Sequence, residues 1–168
     1  MKLLITESQY NTIIKNINPI VYHGTTNLKK NFIPSIVNWE DEVGAHFATT
    51  IEQAEEAIKR QNLLNNTNKP GRILKFKLDI KNPLRVPDIG RWYPNKIFDE
   101  IIEPMNMSYP KTKSTKYVKD WPISNRTSKD IIKIFLNNGY DSLIYDNLYE
   151  GNGESYIALK KNQIIPLQ

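Results

Sequence analysis

The chain predicts an α+β domain, and three observations carry that reading. Segment 72–80, RILKFKLDI, alternates Leu74, Phe76, Leu78 and Ile80 with Lys75, Lys77 and Asp79, the period of a strand with one wet face. Helical stretches begin at N-cap threonines, most clearly at Thr50, where Gln53 stands ready to close a capping box. Strand-like and helix-like segments are interleaved with no repeat and no linker, so 1–168 reads as a single domain with about three or four helices.

In chain order, 2–5 reads as a short strand, and Thr6 with Gln9 starts a helix to about Asn16. Pro19 ends it, 20–23 is extended, and a polar loop with Pro34 and Trp39 follows. VGAHFA (43–48) is a second short strand that runs into the Thr50 helix, where Ala54, Ala57, Ile58 and Leu64 fall along one face. NNTNKPG (65–71) is a turn by composition. After the 72–80 strand, KNPLRVPD leads to a short helix around 96–102. Residues 103–126 hold no sustained period and read as a long loop. Thr127 caps a helix over 129–137, and Gly139 stands where a left-handed C′ residue belongs. DSLIY (141–145) and SYIAL (155–159) are strands joined by the loop DNLYEGNGE, and a last extended piece ends at Leu167.

Hydrophobic residues at 39% and charged residues at 24% describe a globular protein able to bury a core, not a disordered chain. No apolar run approaches membrane-spanning length, and the apolar core of MKLLITESQY is too short for a signal peptide, so a cytoplasmic protein is expected. The absence of cysteine excludes disulfides and thiolate zinc sites, and two histidines do not make a metal centre, so no metal is expected. A net charge of +5 permits attraction to nucleic acid without requiring it.

Four local patterns then fall in one order. His23-Gly24-Thr25 closes a strand, and Gly44-Ala45-His46-Phe47-Ala48 leads into the helix that carries Ala54. Next come a strand ending in Asn82-Pro83-Leu84 and, last, Gly139-Tyr140-Asp141 with a strand, an acidic glycine-rich loop and Ser155-Tyr156-Ile157. This series resembles the ADP-ribosyltransferase superfamily, on its histidine–tyrosine–glutamate branch, which includes diphtheria-toxin-like enzymes and poly(ADP-ribose) polymerases. It looks closest to the small ADP-ribosyltransferase domains of bacteriophages and mobile elements. The start of the chain is also similar to that of many tailed-phage proteins. The resemblance covers about Ile20 to Ile164, without the 103–126 loop.

The resemblance implies two small, mostly antiparallel sheets around a split cleft for NAD. There the nicotinamide–ribose bond breaks through an oxocarbenium-like state, and a carboxylate near the ribose is the expected stabiliser. By the same resemblance His23 hydrogen-bonds a ribose hydroxyl, Gly24 and Thr25 hold nicotinamide, and His46 with Phe47 forms the wall. His46 stands where the branch usually has tyrosine, and the helix that follows lacks a second stacking tyrosine, a gap that Tyr93, Tyr109 or Tyr117 could fill. Two carboxylates compete for the catalytic place. The phage-type pattern favours Glu150; the polymerase pattern points nearer to Glu154. Glycines at 151 and 153 suit a loop that turns Glu150 back into the cleft. The four-residue spacing is not the Glu-x-Glu pair of arginine-modifying relatives. Tyr145 and Asn147 precede the loop and could face the same cleft, Asp141 reads as a turn pin, and Arg72 or Arg85 could meet the pyrophosphate.

Lys111, Lys113, Lys116 and Lys119 are interspersed with Tyr109, Tyr117 and Trp121. Cationic stems and aromatic faces suit single-stranded nucleic acid, and equally suit a solvated loop; if the acceptor is a macromolecule, a host protein or nucleic acid, this is where its recognition is expected. The expected activity is therefore NAD-dependent mono-ADP-ribosyl transfer to a host component, with Glu150 and His23 central. Two rivals stand beside it: a binding module on the same fold without catalysis, and an RNA-binding protein or ribonuclease using His23 and His46 as acid and base.

Overall fold

The alternation in 72–80 forms strand β3, Arg72–Leu78, with Phe76 and Leu78 buried and Lys75 exposed. The computed structural model describes residues 18–36, 42–109 and 126–167. The expected strand at 2–5, the helix after Thr6, Trp39 and the run Lys111, Lys113, Lys116, Tyr117, Lys119 and Trp121 lie outside them. Around β3 stand β1 (Ile20–Thr25), β2 (Ala45–Ala48), β4 (Pro83–Arg85), β5 (Ser142–Asp146), β6 (Glu154–Ala158) and β7 (Ile164–Pro166). The helices are α1 (Ile51–Leu64), α2 (Pro94–Ile97), which widens into a π turn over Phe98–Ile102, and α3 (Ser128–Asn137).

Fold class stands as expected, α+β, and the split takes a specific form. The strands are hydrogen-bonded in the order β4-β5-β6-β2-β1-β3-β7, antiparallel except for β4 with β5. The two halves meet at a seam rather than lying apart. β1 and β3 pair from Ile20↔Lys77 to Thr25↔Arg72, and β2 and β6 from Ala45↔Ala158 to Ala48↔Ser155. Across the seam β1 and β2 pair only at Tyr22↔Ala48.

Both faces of the sheet are covered near its middle. Leu143, Tyr145 and Ile157 join a cluster with Ile97, Phe98, Ile101, Ile131 and Phe135, whereas Ile144, Tyr156 and Ala158 pack with Val21, Phe47, Phe76 and Leu78. Continuous apolar strands such as β5 are what two covered faces require. Each fully buried Phe, Leu or Ile side chain contributes about 1.5–3 kcal/mol.

The helix signals correspond to real caps. Thr50 accepts from the Gln53 amide and the box is closed; Thr127 does the same with Asp130. At the end of α3, Gly139 takes φ +88°, its N–H bonds Leu136, and Tyr140 N–H bonds Phe135, the paired closure that only a left-handed residue permits. Asp141 pins the neighbouring turn, accepting from the amides of Lys81 and Asn82 at 3.0 Å each. One expectation for α1 changes: Ala54 is buried, but Leu64 is 55% exposed, because the last turn borders a cleft and not the core. No helix among the described residues is long and apolar enough to cross a membrane.

Candidate active site

The seam between β1 and β2 opens into a cleft of about 410 Å³. A second chamber of about 810 Å³ adjoins it, the two sharing His23, Glu42, His46, Gln61 and Asn65 as wall residues. Thr25 and Phe32 line the second chamber; Gly24, Phe47, Arg60, Tyr145, Asn147 and Glu150 line the first.

His23 is half-buried, stacked on Phe32 at 5.9 Å and tilted against Phe47 at 5.8 Å. Burial pulls its pKa down to about 4, although the bond to His46 works the other way. The ring is thus neutral at pH 7. A carbonyl can only accept, so the 2.9 Å contact with His46 O assigns the proton to Nδ1. Nε2 is left with its lone pair, an acceptor for a hydroxyl. His46 is neutral for the same reason: burial lowers it to about 4 against the opposing charge of Glu150, and Nε2–H donates to Val43 O at 3.2 Å. Its ring meets Trp92 edge-on at 5.8 Å, and Trp92 lies 4.6 Å from Tyr145. The Tyr145 phenol bonds Ser155 and is pushed well above its ordinary pKa by burial and by Glu150.

The two carboxylates part company. Glu150 lines the cleft, with Oε1 accepting from Arg60 Nη1 and Oε2 from Asn147 Nδ2, both at 3.2 Å. Asn147, nearly fully buried, accepts through Oδ1 from the amides of Tyr149 and Glu150, and its Nδ2 also donates to Ser155 Oγ. Glu154 is the first residue of β6 and neighbours Asp146 across the strands; it pairs with Arg85 and accepts from the Tyr156 hydroxyl. Side chains alternate along a strand, so with Ser155 lining the cleft Glu154 is on the other face.

A family model described as ADP-ribosyltransferase in polyvalent proteins matches residues 18–165. The chain belongs to that family. Its role is that of an ADP-ribosyltransferase domain of mobile-element type, and such domains take NAD as substrate. No curated protein and no solved structure matches the chain.

Within this ADP-ribosyltransferase, Gly24 has a packing role that the sequence does not disclose. A Cβ there would stand 2.0 Å from Ala54 O, so only glycine lets β1 lie directly on α1. Asn147 is saturated by loop and strand partners, and so serves the loop more than a ligand. Neither arginine considered for the pyrophosphate is at the cleft. Arg72 donates to the Asn27 and Lys29 carbonyls, and Arg85 is held by Asp146 and Glu154. The cleft's arginines are Arg60 and Arg91. Of the substitute aromatics, Tyr93 lines the cleft, whereas Tyr109 packs on Phe98.

Arg60, Asp88 and Trp92 are the residues that sequence reasoning missed. Asp88 accepts from Gly90 N and Leu148 N at 2.8 Å each, fastening the acidic loop to the 88–90 turn. Arg60 Nη2 bonds Gly90 O at 2.9 Å, and its guanidinium lies 5.6 Å over the Tyr149 ring. The signal that could have found Asp88 and Trp92 is DIGRWY (88–93), where a turn-forming Asp-x-Gly precedes an arginine and two aromatics with no helical or strand period to explain them.

Proposed function

We propose that this chain is a mono-ADP-ribosyltransferase that cleaves NAD at the nicotinamide–ribose bond and passes ADP-ribose to a macromolecular acceptor, a host component of the phage or mobile element that encodes it. One observation carries the reading. A carboxylate, Glu150, and a neutral imidazole acceptor, His23, line the same cleft, and the Trp92–Tyr145 pair lines it with them. The nicotinamide ring is flat and leaves as a neutral base, so aromatic walls and His46 suit it better than charges do. A ribose hydroxyl can donate to Nε2 of His23, and two adjoining chambers suit a long dinucleotide better than a single mononucleotide.

In this reading the C1′–N bond breaks with its electron pair going to nicotinamide. The ribose carbon then carries positive charge, which the Glu150 carboxylate stabilises. The acceptor's nucleophile forms the new bond to C1′ and loses its proton to solvent water. Glu150 is the catalytic residue; Asn147 positions it.

Chromatographic detection of nicotinamide released from NAD tests the reading directly, with host lysate supplying an acceptor. Release that depends on Glu150 supports it, and no release under either condition overturns it. A second reading, a binding module of the same fold, is favoured by His46 in the place of the branch's tyrosine; it predicts no nicotinamide release, and failure to bind NAD by calorimetry would favour it. The ribonuclease reading fares worse. Each histidine spends one ring nitrogen on a backbone carbonyl and is neutral at pH 7, so neither supplies the charged acid that such a pair needs.

A further inference from the structure

We infer that Arg60 is shared between Glu150 and the diphosphate of the donor: it holds the carboxylate in the free protein and turns to the diphosphate when the donor enters. The inference rests on the proposed donor site and adds a residue and an order of events to it.

The Arg60–Glu150 pair sets up a conflict of charge. A carboxylate stabilises a cationic ribose through its own unneutralised charge. Arg60 Nη1 sits 3.2 Å from Oε1 of Glu150, which cancels much of that charge and sets a second cation beside the carbon that must become positive. A static pair would therefore oppose the reaction that the cleft is otherwise built for. The side chains of Arg60 and Glu150 are only 31% and 23% exposed, yet both border the cleft, so the pair is open to a competing anion.

The donor brings one anionic group, its diphosphate. A guanidinium is a forked donor that suits phosphate oxygens at least as well as a carboxylate. Arg60 also has a resting place that keeps it at the cleft edge during the exchange, through Gly90 O at 2.9 Å and the Tyr149 ring. Arg91, the other arginine lining the cleft, bonds the Tyr93 hydroxyl at 3.1 Å and is placed to assist without uncovering Glu150. Coupling of this kind would leave the Glu150 charge uncompensated only when a donor is present.

Calorimetric titration with ADP-ribose tests the exchange without needing turnover, on the wild type, Glu150→Gln, Arg60→Gln and the double variant. Removing Glu150's charge frees Arg60, so Glu150→Gln should bind ADP-ribose about three- to tenfold tighter than wild type, and Arg60→Gln about tenfold weaker. In the Arg60→Gln background, Glu150→Gln should change affinity by less than about twofold. An equal gain in both backgrounds would mean simple relief of repulsion between Glu150 and the diphosphate, and would overturn the inference; so would no gain at all. Arg60→Lys, which keeps the charge and loses the fork, should fall between wild type and Arg60→Gln, and Arg60→Met, which keeps the apolar stem without the charge, replaces Arg60→Gln if that variant melts early. Binding without coupling defeats only this inference, whereas no ADP-ribose binding by the wild type defeats the donor reading with it.

Discussion

The Nδ1–H of His23 donates to the carbonyl of His46 at 2.9 Å, and this bond bridges two strands that pair at only one other position, Tyr22↔Ala48. A side chain thereby does at the seam what backbone pairing does elsewhere in the sheet. It also fixes the tautomer on which the ring's role as an acceptor depends.

Because both histidines are buried neutral, pH should act on stability in a defined window. Their folded pKa values, about 4, lie below the unfolded value of 6.5, so the unfolded chain binds more protons between those limits. Their contribution is complete above pH 6.5, falls as the pH drops, and is spent by about 4. Thermal melts from pH 7.5 to 4 should show Tm falling by roughly 5 °C or more across that window, with a shallower slope in His46→Gln. Equal slopes in the two proteins would refute the assignment.

Glu150→Gln should lower nicotinamide release by about 10²–10³-fold, the scale of losing one electrostatic stabiliser, while Glu154→Gln stays within about threefold. A larger loss at Glu154 would mean that the face-to-face distinction drawn above is wrong.

Asn147→Ala leaves the Tyr149 and Glu150 amides without their shared acceptor and Oε2 of Glu150 without its donor. We expect kcat to fall by about 10-fold or more, with KM moving only by the few-fold that a loosened Arg60–Glu150 pair allows. Steady-state kinetics separate the two constants, and a change confined to KM would instead make Asn147 a ligand-binding residue.

Gly24→Ala should force β1 off α1. With Ala54 O at 2.0 Å and Ile58 Cγ1 at 2.9 Å from the added carbon, overpacking should cost about 2–3 kcal/mol. Denaturant unfolding measures it, and a neutral result would show that the strand–helix contact is slack.

Much of this fold was legible because its signals are local. Lys75 and Lys77 mark the β3 alternation by sitting beside Phe76, and Gly139 marks the end of α3 by itself. The seam was less so: nothing near Tyr22 or Ala48 says that β1 and β2 pair once and then stop. At the site, the different surroundings of Glu150 and Glu154 follow from which residue opens β6. The strand starts at Glu154, so that residue takes the face opposite Ser155, and the earlier glutamate keeps the freedom of the loop. Arg60 was hidden by its surroundings. In EEAIKRQ it looks like one more solvated charge on a helix, and its partner lies 90 residues downstream.

That separation has a consequence for the life of the chain. The carboxylate is held by α1, by the 88–90 turn through Leu148, and by Asn147, segments that span 90 residues between Arg60 and Glu150. During synthesis from the N-terminus, His23, His46 and Arg60 leave the ribosome long before Glu150 does. If Glu150 is the working group, as proposed, the nascent polypeptide carries the pieces of a donor pocket without it, and the cell's dinucleotide pool is safe from it until nearly the last strand has docked.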